Sequence, residues 1–342
     1  MATTSASGTE FSDEFETLAV EGEELPPGIG PWRLAGKRLR RNKVSLFFGG
    51  LFLLIVILCL LAPVYSSDIA HAGLAQNFLD HPIKVGGKSE YVVSTTGIPI
   101  GPTWHTRFLL GADANGRDVA VRLLYGGRNS LEIGAVATII TMVLALILGI
   151  VAGYFRGFVD GFISRMLDVI WAFPAVLLGI TLGVALAVGG IGPLKGNTLM
   201  VPAVVVGIVY IPYVAKPVRG QVLTLREREF VDAARQQGLS HVQIMFSEIL
   251  PNLASTIVVF VPLILANAIL LEAALSYLGA GVQPPNPSWG TMISDGIDQI
   301  PAAFHDVLVP GIMLVLAVMS INIFGDGLRD AFDPRAKVRI AH

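Results

Sequence analysis

The stretch IGAVATIITMVLALILGIVAGYF, residues 133 to 155, carries no charged side chain over its whole length. As a helix rising 1.5 Å per residue it would reach about 35 Å, enough to cross a hydrocarbon core of about 30 Å. Lipid offers backbone N–H and C=O groups no partner, so such a window predicts a helix that satisfies them internally. Five further windows of this kind follow the same reading: Val44 to Tyr65, Val169 to Leu194, Gly196 to Ala215, Ile249 to Leu271 and Val307 to Gly325. The composition agrees, with 53% apolar and only 15% charged residues among 342, where soluble chains average about 25% charged. The expected fold is an all-α membrane protein with six transmembrane helices.

Six spans put both termini on one side, and the cations choose which. Short loops rich in Lys and Arg stay in the cytoplasm. Seventeen of the 24 cations fall before the first window, between the second and third, between the fourth and fifth, or after the sixth. Both termini are therefore expected to be cytoplasmic. The first charges of the chain are acidic (Glu10, Asp13, Glu14, Glu16) and its apolar run starts late, which argues against a cleaved secretory signal.

The expected organisation follows from these marks. Residues 1–31 read as a disordered acidic tail, and 32–65 as a basic juxtamembrane segment, drawn to anionic lipid, with the first span. Residues 66–130 lie outside, with Arg117 to Tyr125 as a helix whose Val121, Leu123 and Leu124 meet the outer interface. Residues 131–325 form a five-helix core with an inner loop at 216–251 and an outer loop at 279–305, whose Pro284, Pro285 and Pro287 forbid a helix over the stretch Gln283 to Gly290. Residues 326–342 form a cytoplasmic tail. A net charge of −2 gives no reason to expect nucleic acid as a partner. Cys59, the single cysteine, excludes an internal disulfide or a cysteine-built zinc site.

The inner loop has well-specified local chemistry. Leu225 to Gln237 reads as a helix ended by Gly238, the residue type that tolerates a left-handed cap. Ser240 with Gln243 forms a capping box that opens a second helix. Val242, Met245, Phe246 and Ile249 then recur at helical spacing as one apolar face, and Pro251 limits the continuation of that helix. Asp232-Ala233-Ala234 adds a carboxylate and two small side chains where another protein's backbone could approach. Periodicity alone leaves open whether this hairpin meets a partner or packs on its own chain.

Asp232-Ala233-Ala234, Gly238 and Leu250-Pro251 together resemble the EAA loop of ATP-binding-cassette importer permeases. Trp32-Arg33 with Arg38 to Lys43, Gly111-Ala112-Asp113 with Gly116-Arg117-Asp118-Val119, Leu278-Gly279 to Gly290, and Gly325 to Asp330 with Asp333-Pro334-Arg335 resemble the C-type permease of the dipeptide/oligopeptide/nickel family. The match covers nearly all of the chain after residue 31. Asp232 stands where the general pattern has Glu, and Glu248 where it has an apolar residue.

The resemblance implies a type I importer permease fold without catalytic activity. It also implies a second permease, expected to be a different chain, two ATPase subunits or domains, and an extracytoplasmic substrate-binding protein. ATP and Mg would be bound by the ATPases and no cofactor by this chain. It further implies that Asp232, Ala233, Ala234, Gly238, Leu250 and Pro251 couple the helices to ATP-driven closure of the ATPases, and that the cargo is a short peptide, with nickel or oligosaccharides as alternatives. The sequence agrees in lacking a P-loop: Gly87-Lys88-Ser89 is the nearest approach, and Pro82 stands at the first glycine position.

Other residues stand out by their chemistry alone. Glu272, inside an apolar run, is a candidate for the translocation pathway; a bond to neighbouring helices is its plainer role. Asp168 and Trp171 read as interface anchors, and Gly149 with Gly153 as a close helix contact. His71, His81, His105 and His305 are expected outside, at spacings that match no metal motif. Paired intramembrane aspartates, a Ser/His arrangement and H-E-x-x-H are all missing, which argues against an intramembrane protease. No internal repeat supports an ion-driven secondary carrier.

Overall fold

The computed structural model describes residues 31–79, 82–85, 88–104, 107–189, 194 and 198–332. The acidic tail, His81, His105 and the segment after Phe332 lie outside the described residues. A basic helix α1 (Pro31–Arg41) meets α2 (Lys43–Leu60) at Asn42, whose side chain accepts the Ser45 N–H at 3.1 Å and so caps α2.

Between α2 and the next long helix lies a small unit of its own. It holds an antiparallel hairpin, β1 (Pro82–Val85) and β2 (Lys88–Tyr91), paired Pro82 to Tyr91 and Val85 to Lys88. Ala70, Ala72, Phe78, Val92, Phe108, Ala112 and Val121 pack together as its core. The unit closes on Asp118, buried, whose carboxylate accepts backbone N–H groups of Phe108, Ala120 and Val121 at 2.7 to 3.1 Å. Burial raises this carboxyl above the ordinary range, against the pull of those donors.

Asp118 is also the N-cap of α3 (Val119–Phe155). This 37-residue helix begins fourteen residues before the apolar window. The interfacial helix expected at Arg117 to Tyr125 is therefore the first turns of a span, and Val121 and Leu123 are buried, not at an interface. Gly126 and Gly127 explain the packing there. A Cβ at Gly127 would come within 2.5 Å of Cys59 Sγ and 2.6 Å of Trp289, so only glycine lets α2 and the helix that begins at Trp289 close on α3.

The window Val169 to Leu194 does not form one rod. Helix α4 (Gly157–Ala172) and α5 (Ala175–Gly189) meet at 97°. Pro174 forces the preceding Phe173 into an extended conformation (φ −91°, ψ 139°), which ends the first helix. A milder bend of 40° separates α6 (Met200–Val209) from α7 (Ile211–Leu225) at Tyr210, with Pro212 in the first turn of α7. Four further helices of eight or more residues follow among the described residues, α8 (Glu229–Gln236), α9 (Ala254–Tyr277), α10 (Trp289–Gly296) and α11 (His305–Phe332), with shorter helical turns between them.

Among the described residues, α2, α3, α9 and α11 are individually long and apolar enough to cross a membrane, and the two bent pairs raise the number to as many as six. Helix α3 runs through the centre. One apolar cluster joins its end to α7, the segment after it and α9; a second joins its start to α2, α10 and α11. Gly149 and Gly153 seat α3 on α7: added Cβ atoms would come within 2.8 Å of the Ala215 carbonyl and 2.7 Å of Val222.

Candidate functional site

The chain between α7 and α9 folds as a capped elbow. Helix α8 is shorter than the expected Leu225 to Gln237, because α7 runs on to Leu225 and Arg228 takes an extended conformation. At its end Gly238 has φ +80°. The Leu239 N–H reaches the Ala234 carbonyl at 3.2 Å and the Gly238 N–H the Arg235 carbonyl at 3.0 Å, which is a Schellman closure. Ser240 then opens the next arm. Its N–H donates to Gln243 Oε1 at 2.9 Å and its hydroxyl accepts the Gln243 N–H at 3.4 Å, a complete capping box.

The second arm departs from expectation. His241–Gln243 passes into a π turn, Ile244–Ile249, and on through Leu250–Asn252 towards α9. Pro251 does not end the run, because it sits in the first turn after the π segment, where a missing N–H costs little. The wide turn also splits the apolar face. Ile244, Met245 and Ile249 are buried, while Val242 and Phe246 point away at 57% and 65% exposure.

The elbow is pinned to the end of α3. His241 Nδ1 and the Tyr154 hydroxyl are 2.9 Å apart, the Arg226 guanidinium donates to the Tyr154 carbonyl, and Arg156 pairs with Glu227 at 2.5 Å. Arg219 grips Asp160 through two bonds, tying α7 to α4. Lys216 bonds Asp168 at 2.8 Å and lies over Trp171. Asp168 and Trp171 thus join α4 to α7, and Trp171 stacks on Tyr213.

The expected coupling residues separate into two groups. Asp232, Ala233, Gly238 and Pro251 are exposed, with Asp232 held by Arg235 at 2.9 Å. Ala234 is buried against the chain's own core and Leu250 is half-buried, so Ala234 supports the elbow and does not offer a face to a neighbour.

Glu272 is fully enclosed. Ser276 donates to its Oε1 at 2.6 Å and in turn accepts the Val282 N–H at 3.0 Å. Ser130 of α3 and Ser288, the N-cap of α10, lie beside the carboxyl group, whose Oε2 has no hydrogen-bond partner among the described residues. The Pro-rich stretch folds down beside it: Trp289 donates its indole N–H to the Leu123 carbonyl at 3.2 Å and Asn129 bonds the Pro287 carbonyl at 2.7 Å. No atom of Glu272 is exposed in this conformation, and its carboxyl group sits where α3, α9 and α10 meet.

At the end of the molecule away from the elbow, Arg122 lies between Asp295 at 3.1 Å and Asp113 at 3.4 Å, and Arg117 bonds Asp113 at 2.7 Å. Asp306 lines the same cavity with neither carboxylate oxygen hydrogen-bonded, and His305 Nε2 is 3.3 Å from one of them. Nothing in the sequence paired Asp113 with Asp295 or Asp306. Among the described residues no cluster suits a metal ion. Tyr154, Arg226 and His241, the anchors of the elbow, were likewise not singled out by any local pattern.

A central long helix, two bent pairs and a capped elbow define a helical membrane protein with the type I ABC importer permease fold. A chain of the MetNI methionine ABC transporter, solved in inward-facing conformations, shares it at a TM-score of 0.50 and 18% identity, over 62% of this chain and 96% of that one. Residues 145–338 match the model of the binding-protein-dependent transport system inner membrane component, and residues 30–81 that of the N-terminal TM domain of oligopeptide transport permease C. The chain belongs to the family of binding-protein-dependent transport system inner membrane components. It is 36% identical to the dipeptide transport system permease protein DppC of Alkalihalophilus pseudofirmus, over 92% of this chain and 93% of the relative. It is 37% identical to the glutathione transport system permease protein GsiD of Salmonella paratyphi A, over 90% and 91%. The di/tripeptide transport system permease protein DppC of Pseudomonas aeruginosa is 34% identical, over 84% and 88%. The chain is accordingly a transport permease of an ABC importer, not an enzyme.

Proposed function

We propose that this chain carries short peptides across the membrane as half of a translocation pathway, with six spans and both termini in the cytoplasm. The peptide cargo is supported by relatives named for dipeptide, di/tripeptide and glutathione transport. The count of six takes α4 with α5 and α6 with α7 as one bent span each, and the orientation follows the distribution of Lys and Arg. A second, different permease chain completes the pathway. Two ATPase subunits bind ATP and Mg, and an extracytoplasmic binding protein delivers the peptide.

The observation that carries the coupling part is the double closure of the elbow at Gly238 and Ser240, pinned to Tyr154 and leaving Asp232, Ala233 and Gly238 exposed. A lever transmits force only when it is stiff and fixed at its root. Motion of an ATPase seated on this face would pass through Tyr154 and Arg226 into α3 and α7, and rock the helices as bodies.

Reconstitution with the partner subunits tests this reading. Peptide uptake should require ATP and persist with a protonophore present. Disulfide or photo-crosslinks placed at Ala233 and Ser240 should capture an ATPase. Uptake driven by an ion gradient without ATP would overturn the assignment.

A further inference from the structure

Helix α1 is amphipathic in an unusual sense: its inward side is already used. Ala35 is buried and Leu39 half-buried. Arg38 reaches the Ala331 carbonyl at 3.4 Å, and Trp32 stands edge-on to Phe332 at 5.1 Å. The helix is thus clamped on the last turn of α11. On the outward side Arg33, Lys37, Arg40 and Arg41 are all exposed. At 100° per residue they share one face about 100° wide, in a row about 12 Å long. Among the described residues none of these four pairs with a carboxylate.

Only Asn42 separates this row from the first span. The span opens with Lys43 exposed and continues with Val44 and Phe47 at 60% and 67% exposure. Cationic row and apolar belt are therefore continuous, and the row sits where headgroups begin. We infer that the outward face of α1 is a binding surface for anionic phospholipid headgroups of the leaflet it touches, and that by holding α1 it anchors the ends of α2 and α11 at the bilayer surface. This rests on the cytoplasmic placement of the N-terminus, because the cytoplasmic leaflet is the anionic one.

The acidic tail, with seven carboxylates before residue 26, is the competing occupant. The membrane is favoured because the span fixes the row at the bilayer surface, within reach of its headgroups. Each cation near an anionic surface shifts partitioning by roughly fivefold, so four acting together should give a large enrichment.

The assembled transporter is placed in nanodiscs of mixed phosphatidylcholine and phosphatidylglycerol, extracted, and the retained lipid ratio read by native mass spectrometry. The wild type should retain excess phosphatidylglycerol, and a variant with Arg33, Lys37, Arg40 and Arg41 all changed to Gln should lose most of it. Lysine at the three arginine positions should keep it, which separates charge from folding. Equal ratios in the wild type and the Gln variant would overturn the inference. So would enrichment that appears only after residues 1–25 are deleted, which would seat the tail on the row. Gly36→Cys, at an exposed position where a Cβ meets nothing within 4 Å, reports the topology separately. Labelling from the cytoplasmic face upholds the placement, and labelling from the opposite face overturns the inference through its topology, whatever the lipid ratio.

Discussion

The Tyr154 hydroxyl at the end of α3 and His241 Nδ1 at the start of the elbow's second arm lie 2.9 Å apart, joining two elements 87 residues apart in the chain. Arg226 and Arg235 both lie over the same Tyr154 ring. One side chain thus receives contacts from both arms of the elbow and from the turn before it.

Tyr154→Phe keeps the ring and removes only the hydroxyl. A hydrogen bond of this kind contributes about 0.5–1.5 kcal/mol, so the protein should remain folded. If the elbow acts as a lever, the loss should appear as fewer peptides moved per ATP, with ATPase activity retained. Parallel measurement of uptake and phosphate release checks it. An unchanged ratio would make the contact structural only.

Gly238 has φ +80° and open space around its Cβ direction, so its constraint is conformational and not steric. Alanine there should cost about 1 kcal/mol and leave insertion intact. Proline cannot adopt a positive φ and also removes the N–H that reaches Arg235. Gly238→Pro should insert normally and lose ATP-dependent uptake. Normal uptake by that variant removes the elbow from the coupling path.

What could be read from the sequence depended on how local each determinant was. The Gly238 turn and the Ser240 box were legible because cap chemistry involves residues three to five apart. The apolar windows were legible as membrane segments, but their ends were not. Asp118 starts α3 through a carboxylate that also serves Phe108, and Pro174 breaks a window that hydropathy alone runs through. The packed unit of Phe78, Val92 and Phe108 and the ring of Asp113, Arg122, Asp295 and Asp306 depend on pairings across long stretches of chain, which no periodicity records.

Arg122 offers a sharp test of that ring. It is 4% exposed and balances Asp113 and Asp295, with Asp306 in the same cavity. Arg122→Ala leaves Asp113 and Asp295 to Arg117 alone, with Asp306, neither oxygen hydrogen-bonded, beside them. Breaking a fully buried pair costs about 3–5 kcal/mol, and the half-exposed Asp295 and the remaining Arg117 bonds put this loss below that range. The variant should melt below the wild type in lipid nanodiscs. Adding Asp306→Asn to it should recover part of the loss by removing one negative charge. A double variant no more stable than Arg122→Ala would mean that Asp306 carries no charge in the folded protein.

Glu272 distinguishes a tie from a pathway residue by the same kind of reasoning. Its carboxyl group accepts the Ser276 hydroxyl, with Ser130 and Ser288 of two other elements beside it, so its removal leaves the buried Ser276 hydroxyl without an acceptor. Each buried polar group left unpaired costs about 1–3 kcal/mol, and Glu272→Ala should therefore lower the melting temperature markedly. Glu272→Gln keeps an acceptor oxygen and nearly the same volume, and should stay closer to the wild type. Neither variant should alter the relative uptake of cationic and anionic peptides, since no atom of Glu272 is exposed. A change in that ratio with unchanged melting would place Glu272 in the translocation pathway, and would require α10 at Trp289 to lift away from α3 during transport.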